Sequence, residues 1–199
     1  DGEDIDKVMA RMEKDFGLAG EELRDVRWSF EYFKDRDAFP FKRDGQRPEG
    51  TPLQTIDLPA EGWRFTTDPE RVGHERNYFD SAFDDSKWVL QKAAAWEGQG
   101  FKGYDGVGWY RIRFQMPAKA ACKAVELQVG AVDEQAWVWL NGKYVGQRLG
   151  VPEEIWDKPF ALDVTDAVQW GAENILTVRV SDFGYAGGLW KPLKINLLK

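Results

Sequence analysis

Residues 131–146 read AVDEQAWVWLNGKYVG. Ala136-Trp137-Val138-Trp139-Leu140 is an unbroken apolar run, and Asn141-Gly142 follows it before a second short segment. Asn and Gly both accept positive φ, as a two-residue type I′ turn requires, so the stretch predicts a β-hairpin. Side chains alternate along a strand. Ala136, Val138 and Leu140 therefore share one face, and Trp137 and Trp139 the other. Both faces are apolar. That predicts a strand covered on both sides, or one beside a binding surface.

Outward from this hairpin the chain keeps a period of two. Tyr110, Ile112 and Phe114 alternate with Trp109, Arg111 and Arg113. Val125, Leu127 and Val129 alternate with Glu126 and Gln128, and Phe160, Leu162 and Val164 with Ala161 and Asp163. Leu176, Val178 and Val180 follow the same rule, as do Leu193, Ile195 and Leu197. Leu53–Leu58 and Trp63–Thr67 read as two more short strands. Gly, Pro, Asp and Asn separate these segments. The pattern predicts an all-β, antiparallel sandwich with one face of each sheet buried.

Residues 1–52 differ. Ile5, Val8, Met9, Met12 and Phe16 recur at helical spacing and Gly17 can end that helix. A second helix is expected from Glu21 to about Lys34, although Trp28–Phe33 also suits an extended segment. Phe39-Pro40-Phe41 breaks any helix, and residues 43–52 (RDGQRPEGTP) form a loop or linker. The expected organisation is a partly helical extension over 1–52 and a sandwich over 53–199. Packing on the chain's own core is the favoured use of the helices, and partner binding the other.

A net charge of −7 with no clustered Lys or Arg opposes binding to a phosphate backbone, so nucleic acid is not an expected partner. No apolar run is long enough to span a bilayer. Cys122 is the only cysteine, which excludes an internal disulfide. The chain starts at Asp1 without Met, which is expected of a processed or excised fragment. A secreted or periplasmic location is expected. Ten tryptophans in 199 residues are unusual. Most are expected in the core, with a minority free to stack on flat apolar faces.

Six segments, in order, resemble the N-terminal sugar-binding jelly-roll of family 2 glycoside hydrolases, a galactose-binding-domain-like sandwich. They are FDDSKW (Phe83–Trp88), GVGWYRIRF (Gly106–Phe114), AWVWLNGKYVG (Ala136–Gly146), PFALDVTDAV (Pro159–Val168), GAENILTVRV (Gly171–Val180) and GGLWKPLKI (Gly187–Ile195). The resemblance implies the jelly-roll fold and a larger bacterial glycan-degrading protein. In such enzymes the catalytic carboxylates lie in a separate barrel, so none is carried over here. It also implies carbohydrate and a flanking catalytic domain of the same polypeptide as partners. Two functions follow: a noncatalytic carbohydrate-binding accessory domain, or a structural domain that packs against the barrel. No activity is expected of this chain alone.

The residues agree. The single His74 lies in a polar loop without a nucleophile-elbow motif, so no Ser-His triad is expected. Glu97, Asp105, Asp133, Glu134 and Asp182 suit two-carboxylate chemistry by type, but 34 acidic residues supply many chance pairs. No cofactor is expected. Asp80, Asp84 and Asp85 are the place for a structural Ca²⁺, without EF-hand spacing, and loop capping is the alternative use of these side chains.

A sugar site needs an aromatic plane and side chains that hydrogen-bond hydroxyls, and loops at one end of the sandwich are the natural place. The strongest group is Trp96, Glu97, Gln99, Tyr104 and Asp105 within a glycine-rich segment. Asp182, Tyr185 and Trp190 form a second group, and Trp156-Asp157 a third. Trp96 has a competing use as the plug of the sandwich end.

Overall fold

The computed structural model describes residues 4–41, 46–150 and 152–199. It divides into two compact units, Asp1–Pro40 and Phe41–Lys199. The first is a helical hairpin, α1 (Ile5–Phe16) and α2 (Glu21–Ala38). Asp4 caps α1 by accepting from the Asp6 N–H at 2.9 Å, and Gly17 ends it at φ 68°, where a side chain would be strained. Val8 and Met9 are buried, and Arg27 of α2 pairs with Asp6 of α1. Residues 28–33 are helical, so the extended alternative does not hold.

The second unit begins before the expected boundary at 53 and contains the all-β sandwich. Its strands are β1 (Pro52–Asp57), β2 (Glu61–Thr67), β3 (Val89–Lys92), β4 (Gly106–Gln115), β5 (Ala124–Asp133), β6 (Gln135–Leu140), β7 (Lys143–Arg148), β8 (Phe160–Asp163), β9 (Glu173–Asp182) and β10 (Gly188–Leu198). A one-turn helix, α3 (Pro152–Ile155), lies between β7 and β8. One sheet has the order β1-β10-β5-β8 and the other β3-β2-β4-β9-β6-β7, with every pairing antiparallel. Asn141 and Gly142 take φ of 54° and 78° between paired Leu140 and Lys143, the turn that Asn-Gly predicts. The core holds the residues picked out by period two. Tyr110 and Ile112 of β4, Leu127 and Val129 of β5, Val138 of β6, Val178 of β9 and Ile195 of β10 all belong to one buried cluster.

The Trp face of β6 is also covered. Trp137 and Trp139 are both buried, which places them as packing residues. The polar loop from Asp68 to Trp88 lies over this outer face. Phe79 stacks on Trp139 at 5.3 Å and 12°, and Tyr78 meets Trp109 edge-on at 5.7 Å. Arg179 lies 4.4 Å above the Trp137 ring.

Charge fixes that loop to the sheet. Asp68 accepts from the Gly73 N–H at 2.8 Å and from Trp109 Nε1 at 2.9 Å. A Cβ on Gly73 would come within 2.5 Å of that same indole nitrogen, so only glycine fits. Asp85 accepts from Arg111 Nε at 2.8 Å and from Arg113 Nη1 at 2.9 Å. Burial pulls the Arg111 guanidinium below its ordinary pKa, and Asp85 opposes that shift. Asp80 and Asp84, placed with Asp85 as calcium ligands by the sequence, accept from the Ala82 and Ser86 N–H groups. Asp85 is taken by arginine. Among the described residues no group of three or more His, Cys, Asp or Glu is placed to hold a metal ion.

Removing one partner of a buried pair leaves the other charge uncompensated. Asp85→Ala is therefore expected to lower unfolding free energy by about 3–5 kcal/mol. Chemical denaturation followed by tryptophan fluorescence checks it. A loss below about 1 kcal/mol, the scale of an exposed pair, would refute the buried role.

Candidate functional site

One end of the sandwich gathers most of the residues singled out from the sequence. Antiparallel pairing of β4 and β9 sets Gly106 opposite Asp182, so Asp105 and Asp182 arrive at the same rim. The pairing of β5 and β10 sets Gly188 opposite Asp133. The segment between β9 and β10, Phe183–Gly187, closes this end.

Trp96 begins a short 3-10 turn, Trp96–Gln99, and is 0% exposed. Its Nε1 donates to the Tyr104 carbonyl at 3.1 Å, and its ring lies parallel to Tyr110 at 6.5 Å. A Cβ on Gly187 would sit 2.3 Å from that ring, so glycine lets the closing segment lie flat on it. Trp96 is the plug and offers no face to a ligand, which corrects its assignment as a stacking residue. Two further candidates are internal fasteners. Gln99 accepts from the Lys92 N–H at 2.7 Å and donates to the carbonyls of Ala94 and Ala95 at 3.0 and 3.2 Å. The Tyr104 hydroxyl donates to Val107 O at 2.8 Å, and burial pushes its pKa up to about 12. Their polar atoms are spent within the fold.

The acids do something the sequence does not reveal. Three carboxylates, from three places in the chain, accept backbone N–H groups of the closing segment. Glu134 Oε2 accepts from Phe183 at 3.1 Å, Asp182 Oδ1 from Gly184 at 3.3 Å, and Glu97 Oε1 from Gly187 at 3.0 Å. The Gly187 carbonyl in turn accepts from the Trp96 N–H at 3.0 Å. Between these fixed points sits Tyr185, 76% exposed and held at φ 69°. A tyrosine in the left-handed region is uncommon and persists because its neighbours on both sides are anchored. Asp105 is exposed at the same rim. This end thus carries an exposed aromatic ring and one exposed carboxylate, groups that suit hydroxyl-rich ligands.

Burial, with crowding added to it, raises Asp182 and the nearby Asp133. Burial, then the neighbouring Glu134, Asp105 and Asp133, pushes Asp182 up to about 9. Burial and Glu97 push Asp133 up to about 7. Asp182 Oδ2 and Glu97 Oε2 are buried without a hydrogen-bond partner among the described residues. A proton held on Asp182 removes one negative charge from this crowded end.

Trp156 and Trp190 form a separate cluster, stacked on each other at 5.5 Å and 10°. Trp190 Nε1 donates to Trp156 O at 3.0 Å, and Lys191 Nζ lies 4.5 Å above the Trp190 ring. Lys191 also donates to the Asp157 carbonyl at 2.7 Å, and Asp157 pairs with Lys158 at 2.9 Å. Each ring thus has one face taken by the other, and Trp156 stays 44% exposed.

The family described as the beta-galactosidase second all-beta domain matches residues 74–186. A putative beta-glucuronidase of Formosa agariphila is 38% identical over 95 residues, which are 47% of this chain and 8% of that protein. A beta-galactosidase of Thermoanaerobacter pseudethanolicus is 26% identical over 110 residues, 48% of this chain and 14% of that protein. The chain thus spans a small part of the relatives it matches. The crystal structure of Ruminococcus gnavus beta-glucuronidase superposes with a TM-score of 0.64 at 17% identity, over 77% of this chain and 30% of that one. At that identity the likeness shows the fold, the jelly-roll that the six ordered segments imply.

The raised acids set a pH dependence of stability. Folded Asp182 keeps its proton up to about pH 9, whereas the unfolded group releases it near its ordinary value of 3.8. The folded state binds the extra proton between these limits, so stability is greatest below the lower one and falls as pH rises through the upper. Asp133 adds to the fall up to about pH 7. Asp182→Asn mimics the protonated acid and is expected to flatten this slope, raising stability at pH 8 by roughly 2 kcal/mol. Denaturant midpoints of both proteins from pH 5 to 9 check it, and parallel profiles would refute it.

Proposed function

This chain belongs to the beta-galactosidase second all-beta domain family, and from that premise we propose that it is a noncatalytic domain whose carboxylate-clamped end binds carbohydrate within a larger, bacterial family 2-like glycoside hydrolase. The observation that carries this reading is Tyr185, exposed and held at positive φ in a segment anchored by Asp182 and Glu97, at the rim that also carries Asp105. An exposed ring at this rim is suited to stacking on the apolar face of a sugar. The relatives' names, beta-glucuronidase and beta-galactosidase, point the same way. No side chain here is assigned a bond-making or bond-breaking step. A secreted or periplasmic location belongs to the same proposal.

A second reading, a structural domain without independent affinity for sugar, is favoured by Trp96, Gln99 and Tyr104 spending their polar atoms within the fold. Calorimetric titration with neutral and acidic oligosaccharides separates the two. Binding is expected, and Tyr185→Ala is expected to weaken it roughly tenfold while Tyr185→Phe keeps it, since stacking needs the ring and not the hydroxyl. No heat with any glycan would leave the structural role.

A further inference from the structure

A cavity of roughly 330 Å³ opens where β8, the edge strand of the four-stranded sheet, meets β7, the edge strand of the other. It shares no residue with the clamped end. Its volume lies at the lower end of small-molecule sites, which run from about 300 to 1,000 Å³. Arg47, Glu126, Gln128, Gln147, Arg148 and Phe160 line it.

The hydrogen-bond inventory of this lining is one-sided. Among the described residues Glu126 is the only acid in the lining, and both oxygens accept: Oε1 from Asn196 Nδ2 at 2.8 Å and Oε2 from Arg47 Nε at 3.0 Å. Gln128 Oε1 accepts from the same Asn196 nitrogen at 3.3 Å. Because Glu126 can only accept, that Asn196 atom is the donor, which fixes the Gln128 amide with its oxygen turned to Asn196. Gln147 Oε1 accepts from the Tyr144 hydroxyl at 2.8 Å. Both glutamines therefore keep their NH₂ groups to give. Arg148 Nε is buried and has no hydrogen-bond partner among the described residues. Arg47 and Glu126 cancel, so among the described residues Arg148 leaves the lining net positive, on a chain of charge −7. Phe160 supplies an apolar wall.

Two amide NH₂ donors, a cation with no ion pair among the described residues and an aromatic wall suit an acceptor-rich anion with a flat apolar side. We propose that this cavity is a second carbohydrate site, selective for a carboxylate-bearing sugar such as a hexuronate unit. The carboxylate pairs with Arg148, hydroxyl oxygens accept from Gln128 and Gln147, and the ring lies against Phe160. The proposal rests on the reading of the domain as carbohydrate-binding and adds a place and a charge preference.

Nitrogen–proton correlation NMR of the whole chain tests it, with D-glucuronate and D-galacturonate set against D-glucose, D-galactose and acetate. Uronates are expected to shift the side-chain amide signals of Gln128 and Gln147 and the Arg148 Nε signal saturably. Neutral sugars and acetate are expected to leave them in place. Arg148→Gln is expected to weaken uronate binding roughly tenfold or more. Gln147→Glu, which sets a negative charge against the ligand, serves as the second variant, and spectral dispersion reports folding of both. Tyr185→Ala is expected to leave this site unchanged. Absent shifts, equal shifts with neutral sugars, or equal shifts with acetate each overturn the assignment. Loss of neutral-glycan binding in Tyr185→Ala with no uronate response at Gln128 and Gln147 would sink this site and keep the first. A uronate response with no effect of Tyr185→Ala on any glycan would do the reverse.

Discussion

The buried pair between Asp85 and Arg111 is the constraint on which the rest of the sandwich depends. A β-sandwich normally leaves the outer face of each sheet to water. Here the middle of the six-stranded sheet carries Trp109, Trp137 and Trp139 on that face, and all three are buried. The cover is the loop from Asp68 to Trp88, which mixes charged residues with Tyr78, Phe79, Phe83 and Trp88. Asp85 on Arg111, and Asp68 on Trp109 and Gly73, attach it. Phe79, Tyr78 and Phe83 then supply the packing. Charge positions the cover and aromatic contact fills the space beneath it.

The strands were legible because period two is a local property, and the core follows from it directly. The Asn141-Gly142 turn was legible for the same reason. The extent of α2 was less so, because the aromatic run Trp28–Phe33 suits either conformation until its context is known. For the second face of β6, alternation showed that it was apolar without showing what covers it. Asp80, Asp84 and Asp85 illustrate the limit: proximity in sequence suggested one shared ligand, and the structure gives each a different partner.

The candidate site was half legible. Its neighbourhood could be read, since Trp96, Glu97, Asp105, Asp182 and Tyr185 do reach one end. Their division of labour could not. Trp96 and Tyr104 have the composition of a stacking platform, yet their ring faces are committed to Tyr110 and to each other. Glu134 is a needed clamp that no motif marked, because its partner lies 49 residues on. The cavity between β7 and β8 left no local trace at all, since Arg47 and Glu126 are 79 residues apart.

The clamp on the closing segment has a temporal side. Its bonds span 90 residues between Glu97 and Gly187 and 49 between Glu134 and Phe183, and they join turns fed by both sheets. Such contacts can be made only once the chain between their partners has closed into a loop. The surface around Tyr185 therefore does not exist on a nascent or partly assembled chain. Any recognition that uses it is confined to the finished domain, so assembly of the sandwich is itself the gate on when this end can engage anything.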